Sequence, residues 1–93
     1  MFIYIVTFHI DECGEWSRRV IMVTDNEEKV STLTVKRACE FCPDPDTLKR
    51  ELKNYGHFIS VQVWDIELNM IVDNWRNTHI DWEKGGYCGL LDE

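Results

Sequence analysis

Residues 2–10 read Phe-Ile-Tyr-Ile-Val-Thr-Phe-His-Ile. β-Branched and aromatic side chains fill the stretch, and these suit the pleated surface of a strand. The strand period of two puts Phe2, Tyr4, Val6 and Phe8 on one face and Ile3, Ile5, Thr7 and His9 on the other. Both faces are largely apolar. A strand with one solvated face alternates apolar with polar, and this one does not. The segment is therefore expected inside a sheet rather than at its edge, and the fold depends on what pairs with it on either side.

Downstream, Asp11-Glu12-Cys13-Gly14-Glu15 reads as a hairpin connection and Trp16 to Thr24 as the returning strand, with Arg18 and Arg19 on opposite faces. A helix follows to about Glu40. Asp25 with Glu28, or Thr24 with Glu27, has the spacing of an N-cap and an acid three residues on. Val30, Leu33, Ala38 and Phe41 fit one helical stripe. The run Val30-Ser31-Thr32-Leu33-Thr34-Val35 is rich in β-branched residues and also suits a strand, so both readings stand for residues 26–40.

Pro43-Asp44-Pro45-Asp46 interrupts the chain. Asp44 can cap a second helix, with Pro45 at its first position where a missing N–H costs nothing. Leu48, Leu52 and Tyr55 then follow at helical spacing, and Gly56 suits the residue past the helix end. His57 to Ile66 reads as a third strand, Glu67-Leu68-Asn69 as a turn and Met70 to Arg76 as a fourth strand. Beyond Asn77 the periodicity fades, and Gly85, Gly86 and Gly89 mark irregular backbone. The order β-β-α-α-β-β implies an α+β fold: one domain over 1–93, a four-stranded, mostly antiparallel sheet, and helices on one face.

The chain has 93 residues, 44% of them apolar and 12% aromatic, a globular composition. Ten Lys and Arg against 17 Asp and Glu give a net charge of −7. That balance argues against a basic nucleic-acid module. No apolar run reaches the roughly 18 residues of a membrane span. The opening MFIYIVTF has neither a basic region nor a cleavage site of a secretion signal, so a cytoplasmic protein is expected.

The four cysteines are Cys13, Cys39, Cys42 and Cys88. The Cys39-x-x-Cys42 spacing lets two thiolates grip one tetrahedral zinc. Cys13 and Cys88 are each followed by glycine, which permits tight backbone around metal-bound sulfur. The second strand leaves the Cys13 turn and the helix runs back, which returns Cys39 toward that turn. Nine strand residues span about 30 Å and fourteen helical residues about 21 Å, so loops must close the rest. With all four as ligands no coordination position is open, and the zinc is structural. Three other states compete with it: free packed thiols, two disulfides, or a redox pair of Cys39 and Cys42. The redox reading places the pair at a helix C-terminus, the pole that does not lower a thiol pKa.

No phosphate loop or dinucleotide fingerprint is present. Ser17, Ser31 and Ser60 lack a flanking motif that activates a nucleophile; His9 and His57 fall at strand ends as packing residues. His79 stands near Asp81 and Glu83, where a His–carboxylate pair can do acid–base work, but a solvated tail accounts for it too. Residues 57–93 carry seven acids and two bases together with Trp64, Trp75 and Trp82. Aromatic anchors among acids suit a protein-binding surface for a basic partner. Asp73, Trp75, Asp81, Trp82 and Glu83 are its candidate residues, with Trp64 expected in the core and Trp82 exposed. The competing reading puts the tryptophans in the core and leaves the acids as a solvated face.

In size, charge of −7, an N-terminus beginning MFIYIVTF and lack of catalytic motifs, the chain resembles the small acidic proteins that bacteriophages use against host defence nucleases, the anti-CRISPR inhibitors in particular. The likeness is one of size and charge and carries no shared motif. It implies a non-catalytic inhibitor that occupies the basic, nucleic-acid-handling surface of a host CRISPR effector nuclease, without itself binding nucleic acid or membrane. The alternatives are a small thiol redox protein or metalloenzyme using Cys39 and Cys42, and a regulatory module of a toxin–antitoxin or phage-assembly system.

Overall fold

The computed structural model describes residues 1–12, 15–41, 44–54, 57–76 and 80–87, without the side chains of Glu12, Trp16, Asn54, Trp75, Arg76 and Tyr87. In chain order its elements are β1 (Phe2–Glu12), β2 (Glu15–Thr24), α1 (Glu27–Ala38), α2 (Pro45–Asn54), β3 (Phe58–Asp65), β4 (Met70–Arg76), β5 (Ile80–Asp81) and β6 (Gly86–Tyr87). The architecture is the expected α+β domain, with a four-stranded sheet in the order β2-β1-β3-β4 and every neighbouring pair antiparallel. The small β5–β6 hairpin is an addition.

β1 is an inner strand, as its two apolar faces require: it pairs with β2 on one side and β3 on the other. Since β2 and β3 both run against β1, they run parallel to each other and need a crossover. The two helices supply it and bury one face of the sheet. On that face Tyr4, Val6, Phe8, Ile59, Val61 and Val63 are buried beneath Val30, Val35 and Ala38 of α1 and Leu48 and Leu52 of α2.

α1 settles the ambiguity of the β-branched run in favour of a helix. Thr32 and Thr34 donate their hydroxyls to the carbonyls of Glu28 (2.8 Å) and Val30 (2.7 Å), so the threonines are satisfied inside it, Thr34 with no exposure. The cap is Asn26 rather than Thr24 or Asp25: its Oδ1 accepts the Glu28 N–H at 2.9 Å, while Thr24 Oγ1 accepts the Asn26 N–H one step earlier. The buried stripe is Val30, Thr34, Val35 and Ala38. Phe41 falls beyond the helix end and stays exposed, its ring 5.1 Å from the Arg19 guanidinium. α2 starts as its sequence implies, with Asp44 Oδ1 accepting the Thr47 N–H at 2.8 Å. Tyr55 and Gly56 lie outside the described residues.

Directly opposed residues share a face. The face away from the helices therefore carries Ile3, Ile5, Thr7 and His9 of β1 opposite Trp64, Gln62, Ser60 and Phe58 of β3. Val23 and Val20 of β2 flank Ile5 and Thr7, and Ile71 of β4 flanks Trp64.

Candidate functional site

Three of the seven acids of residues 57–93, Asp65, Glu67 and Asp73, lie on the β3–β4 hairpin. Its turn is built by Asp65, whose Oδ1 accepts the N–H groups of Glu67 (2.9 Å) and Leu68 (3.2 Å), and by Asn69 at φ 53°. Asparagine tolerates that left-handed conformation better than other residues with a side chain. β1 begins beside the turn: Phe2 opposes Asp65, and the Ile66 N–H donates to the Met1 carbonyl at 3.1 Å. Neither 1–17 nor 54–75 contains a Lys or Arg. The charged side chains these segments bring here are Asp65, Glu67 and Asp73, and between them Ile66, Leu68, Met70, Ile71 and Val72 are all exposed. Asp73 Oδ1 accepts the Asn74 N–H at 2.8 Å, which places a carboxylate along the outer strand of the sheet. Charged residues there oppose casual strand addition.

Those of the five candidate partner residues whose side chains are described fall on two hairpins. Asp73 is exposed on β4, and the Trp75 side chain lies outside the description. Asp81, Trp82 and Glu83 belong to the β5–β6 hairpin, which leans on α1: the Val35 N–H donates to the Gly85 carbonyl at 2.7 Å. Asp81 Oδ1 is taken up by its own turn, accepting the N–H groups of Glu83 (3.0 Å) and Lys84 (3.2 Å). Trp82 is half-buried against the core, with the Lys49 ammonium 5.9 Å from its ring. Trp64 is half-buried on the uncovered face, its Nε1 donating to Gln62 Oε1 at 3.3 Å. The expected roles of these two tryptophans are thus exchanged. Period two gives a strand residue its parity but does not say which parity faces the helices. What the sequence did hold, unnoticed, was the gap in Lys and Arg over 54–75.

Of the cysteines, Cys13, Cys42 and Cys88 lie outside the described residues. Cys39 caps the end of α1 as a free, partly buried thiol; burial, and then the Asp44 carboxylate, push its pKa up. Among the described residues no group of three His, Cys, Asp or Glu side chains is placed to hold a metal. His79 also lies outside them.

The other two histidines pack and tie strands. His57 Nδ1 accepts the Asp11 N–H at 3.0 Å, and its ring meets Phe8 edge-on. His9 stacks on Phe58 with ring centroids 4.1 Å apart, and its Nε2 lies 2.9 Å from Ser60 Oγ. The Ser60–His9 pair comes from strand register, 51 residues apart in sequence, so no local motif announces it. It joins β1 to β3 across the uncovered face.

No described helix is long and apolar enough to cross a membrane. No family model matches the chain, and neither a curated protein nor a solved structure matches it.

Proposed function

We propose that this chain is a non-catalytic, protein-binding inhibitor that docks the β3–β4 end of its sheet on a basic surface of a protein partner. The observation that carries this reading is the hairpin itself. Its exposed apolar residues 66, 68 and 70–72 are ringed by Asp65, Glu67 and Asp73, and the hairpin carries no Lys or Arg until Arg76 at the far end of β4. Magnitudes divide the work between the two kinds of residue. Burying the exposed half of five large apolar side chains gains about 5 kcal/mol, the lower end of the 4–15 kcal/mol that association costs. The apolar residues alone give weak contact; the carboxylates supply steering and select a cationic partner. A nucleic-acid-handling groove of a host nuclease, the CRISPR effector of the anti-CRISPR resemblance included, has that chemistry. A zinc held by Cys13, Cys39, Cys42 and Cys88 belongs to this proposal as a structural staple, tested by native mass spectrometry with and without a chelator.

The test is binding to, and inhibition of, RNA-guided nucleases by the wild type and by Glu67→Lys/Asp73→Lys. Wild-type binding weakens as salt rises, and the double variant binds at least tenfold less. Salt-independent binding, or binding equal in both proteins, rejects the acidic-face mechanism.

A further inference from the structure

We infer that the uncovered face of the four-stranded sheet packs against the same face of a second copy of this chain. Ile3, Ile5, Val20, Val23, Trp64 and Ile71 share that face, and the positions between them are neutral. Both helices bury the other side, as do Ile80 and Trp82 of the following segment. Antiparallel sheets with a solvated face carry polar residues there. A contiguous apolar face of this kind is a contact surface.

Charge decides which contact. The centre of the face holds no acid, so a cationic partner would lose hydration there without gaining a counter-charge. The acids that attract such a partner sit on the hairpin turn and on Asp73, which opposes Val63 of the covered face. The charges at or beside the uncovered face stand toward its ends: Arg18 opposite His9 and Arg76 opposite Ser60, with Asp11 one row further out, toward one end, and Glu67 in the β3–β4 turn at the other. A two-fold axis lying across the strands sets the Arg18 end of one copy over the Glu67 end of its mate. The size also fits. Four strands about 4.8 Å apart, paired over some eight residues, give a face of about 500 Å² in projection. Its corrugated accessible area approaches the roughly 800 Å² per partner of a standard interface. Two such sheets stack at about 10 Å.

Net charge sets a distinguishing signature. Each chain carries −7, so like-charge repulsion opposes the pair at low ionic strength and salt relieves it. Self-association therefore strengthens with salt, whereas docking of a basic partner on the hairpin weakens. The two can fail separately.

The experiment is sedimentation equilibrium of the full chain at about 0.05 M and about 0.5 M salt. The expected result is a species of twice the 11.1 kDa chain mass, with a dissociation constant at least threefold lower at high salt. Val20→Lys/Val23→Lys, at positions 60% and 62% exposed, should fold with an unchanged circular dichroism spectrum and remain at the single-chain mass. Because those lysines reduce the net repulsion, loss of the pair reports burial of the face itself. Ile71→Lys, at the opposite side of the sheet, should have the same effect. A wild type that stays at single-chain mass at every concentration, or a pair that survives these variants, overturns the inference.

Discussion

The two faces of one sheet are made of similar residues and stand in different states. On the helix side Val6, Ile59 and Val61 have no exposed surface and Phe8 has 1%. On the other side their neighbours Ile3, Ile5, Gln62 and Trp64 are half-buried, and Val20 and Val23 are exposed. Strand parity makes the two sets interchangeable in sequence. The crossover through α1 and α2 makes them different, because a two-helix layer can cover only one face. An apolar second face is costly for a chain that stands alone and useful for one that meets another surface. The comparison can be broken by mutation, and the largest effect belongs to the covered side.

Phe8→Ala should destabilise the chain by about 3–5 kcal/mol, since it leaves a cavity among packed side chains. Ile5→Ala, on the uncovered face of the same strand, should cost about 1–2 kcal/mol, part of the removed surface being already wet. Chemical denaturation of both variants at low protein concentration measures the difference. Equal losses would mean that the second face is covered too, and loss from Ile5→Ala that grows with protein concentration would identify the cover as another copy.

Gly86→Ala tests how the covering layer is held. Gly86 is buried, and a Cβ there would run into the Val30 carbonyl and the backbone of Ser31 in α1. The helix or the hairpin must move, at a cost of about 1–3 kcal/mol. Amide exchange should localise the change to Val35, whose N–H donates to Gly85. An unperturbed Val35 amide would mean that the hairpin docks elsewhere in solution.

This joint also marks where sequence reading ends. β1, the Asp44-Pro45 start of α2 and the order of the four long strands were legible because each rests on local chemistry repeated over several residues. Strands of two residues, β5 and β6, have no period to read, and their place is set by contact with α1 far away in the chain. The same limit explains Trp82, which packs on the core from a segment that reads as a solvated tail. It explains Ser60 and His9 as well, joined only by register. The zinc proposal was legible as spacing, but only Cys39 of its four thiols falls in the described residues. The excess of acids over residues 57–93 was legible as composition, while their division between the β3–β4 hairpin and the α1-bound hairpin depended on the fold.

Ser60→Ala probes the uncovered face more gently. It removes the hydroxyl 2.9 Å from His9 Nε2 and should cost about 0.5–1 kcal/mol, because water can take its place beside a half-buried ring. A loss near 3 kcal/mol would show the pair to be sealed from water, as it is when a second copy covers it. Repeating the measurement with Val20→Lys/Val23→Lys, which keeps that face open, separates the two cases.

The smallest effect concerns the covering layer alone and is read through pH. Hydrogen bonds from the Thr47 N–H, and from its hydroxyl, hold the Asp44 carboxyl below its ordinary 3.8. The folded chain therefore binds this proton less readily than the unfolded chain. The resulting stabilisation is complete above the ordinary value and is lost as pH falls through the lower, folded one. Asp44→Asn keeps an oxygen to cap α2 but has nothing to titrate there. Between pH 6 and pH 2.5 the wild type should lose slightly more melting temperature than the variant, with the divergence opening only below about pH 4. Superimposable profiles would mean that the charge on Asp44 does nothing for α2 and that its oxygen alone makes the cap. The helical layer would then owe its place over the sheet to Leu48 and Leu52, and the difference between the two faces would be one of packing alone.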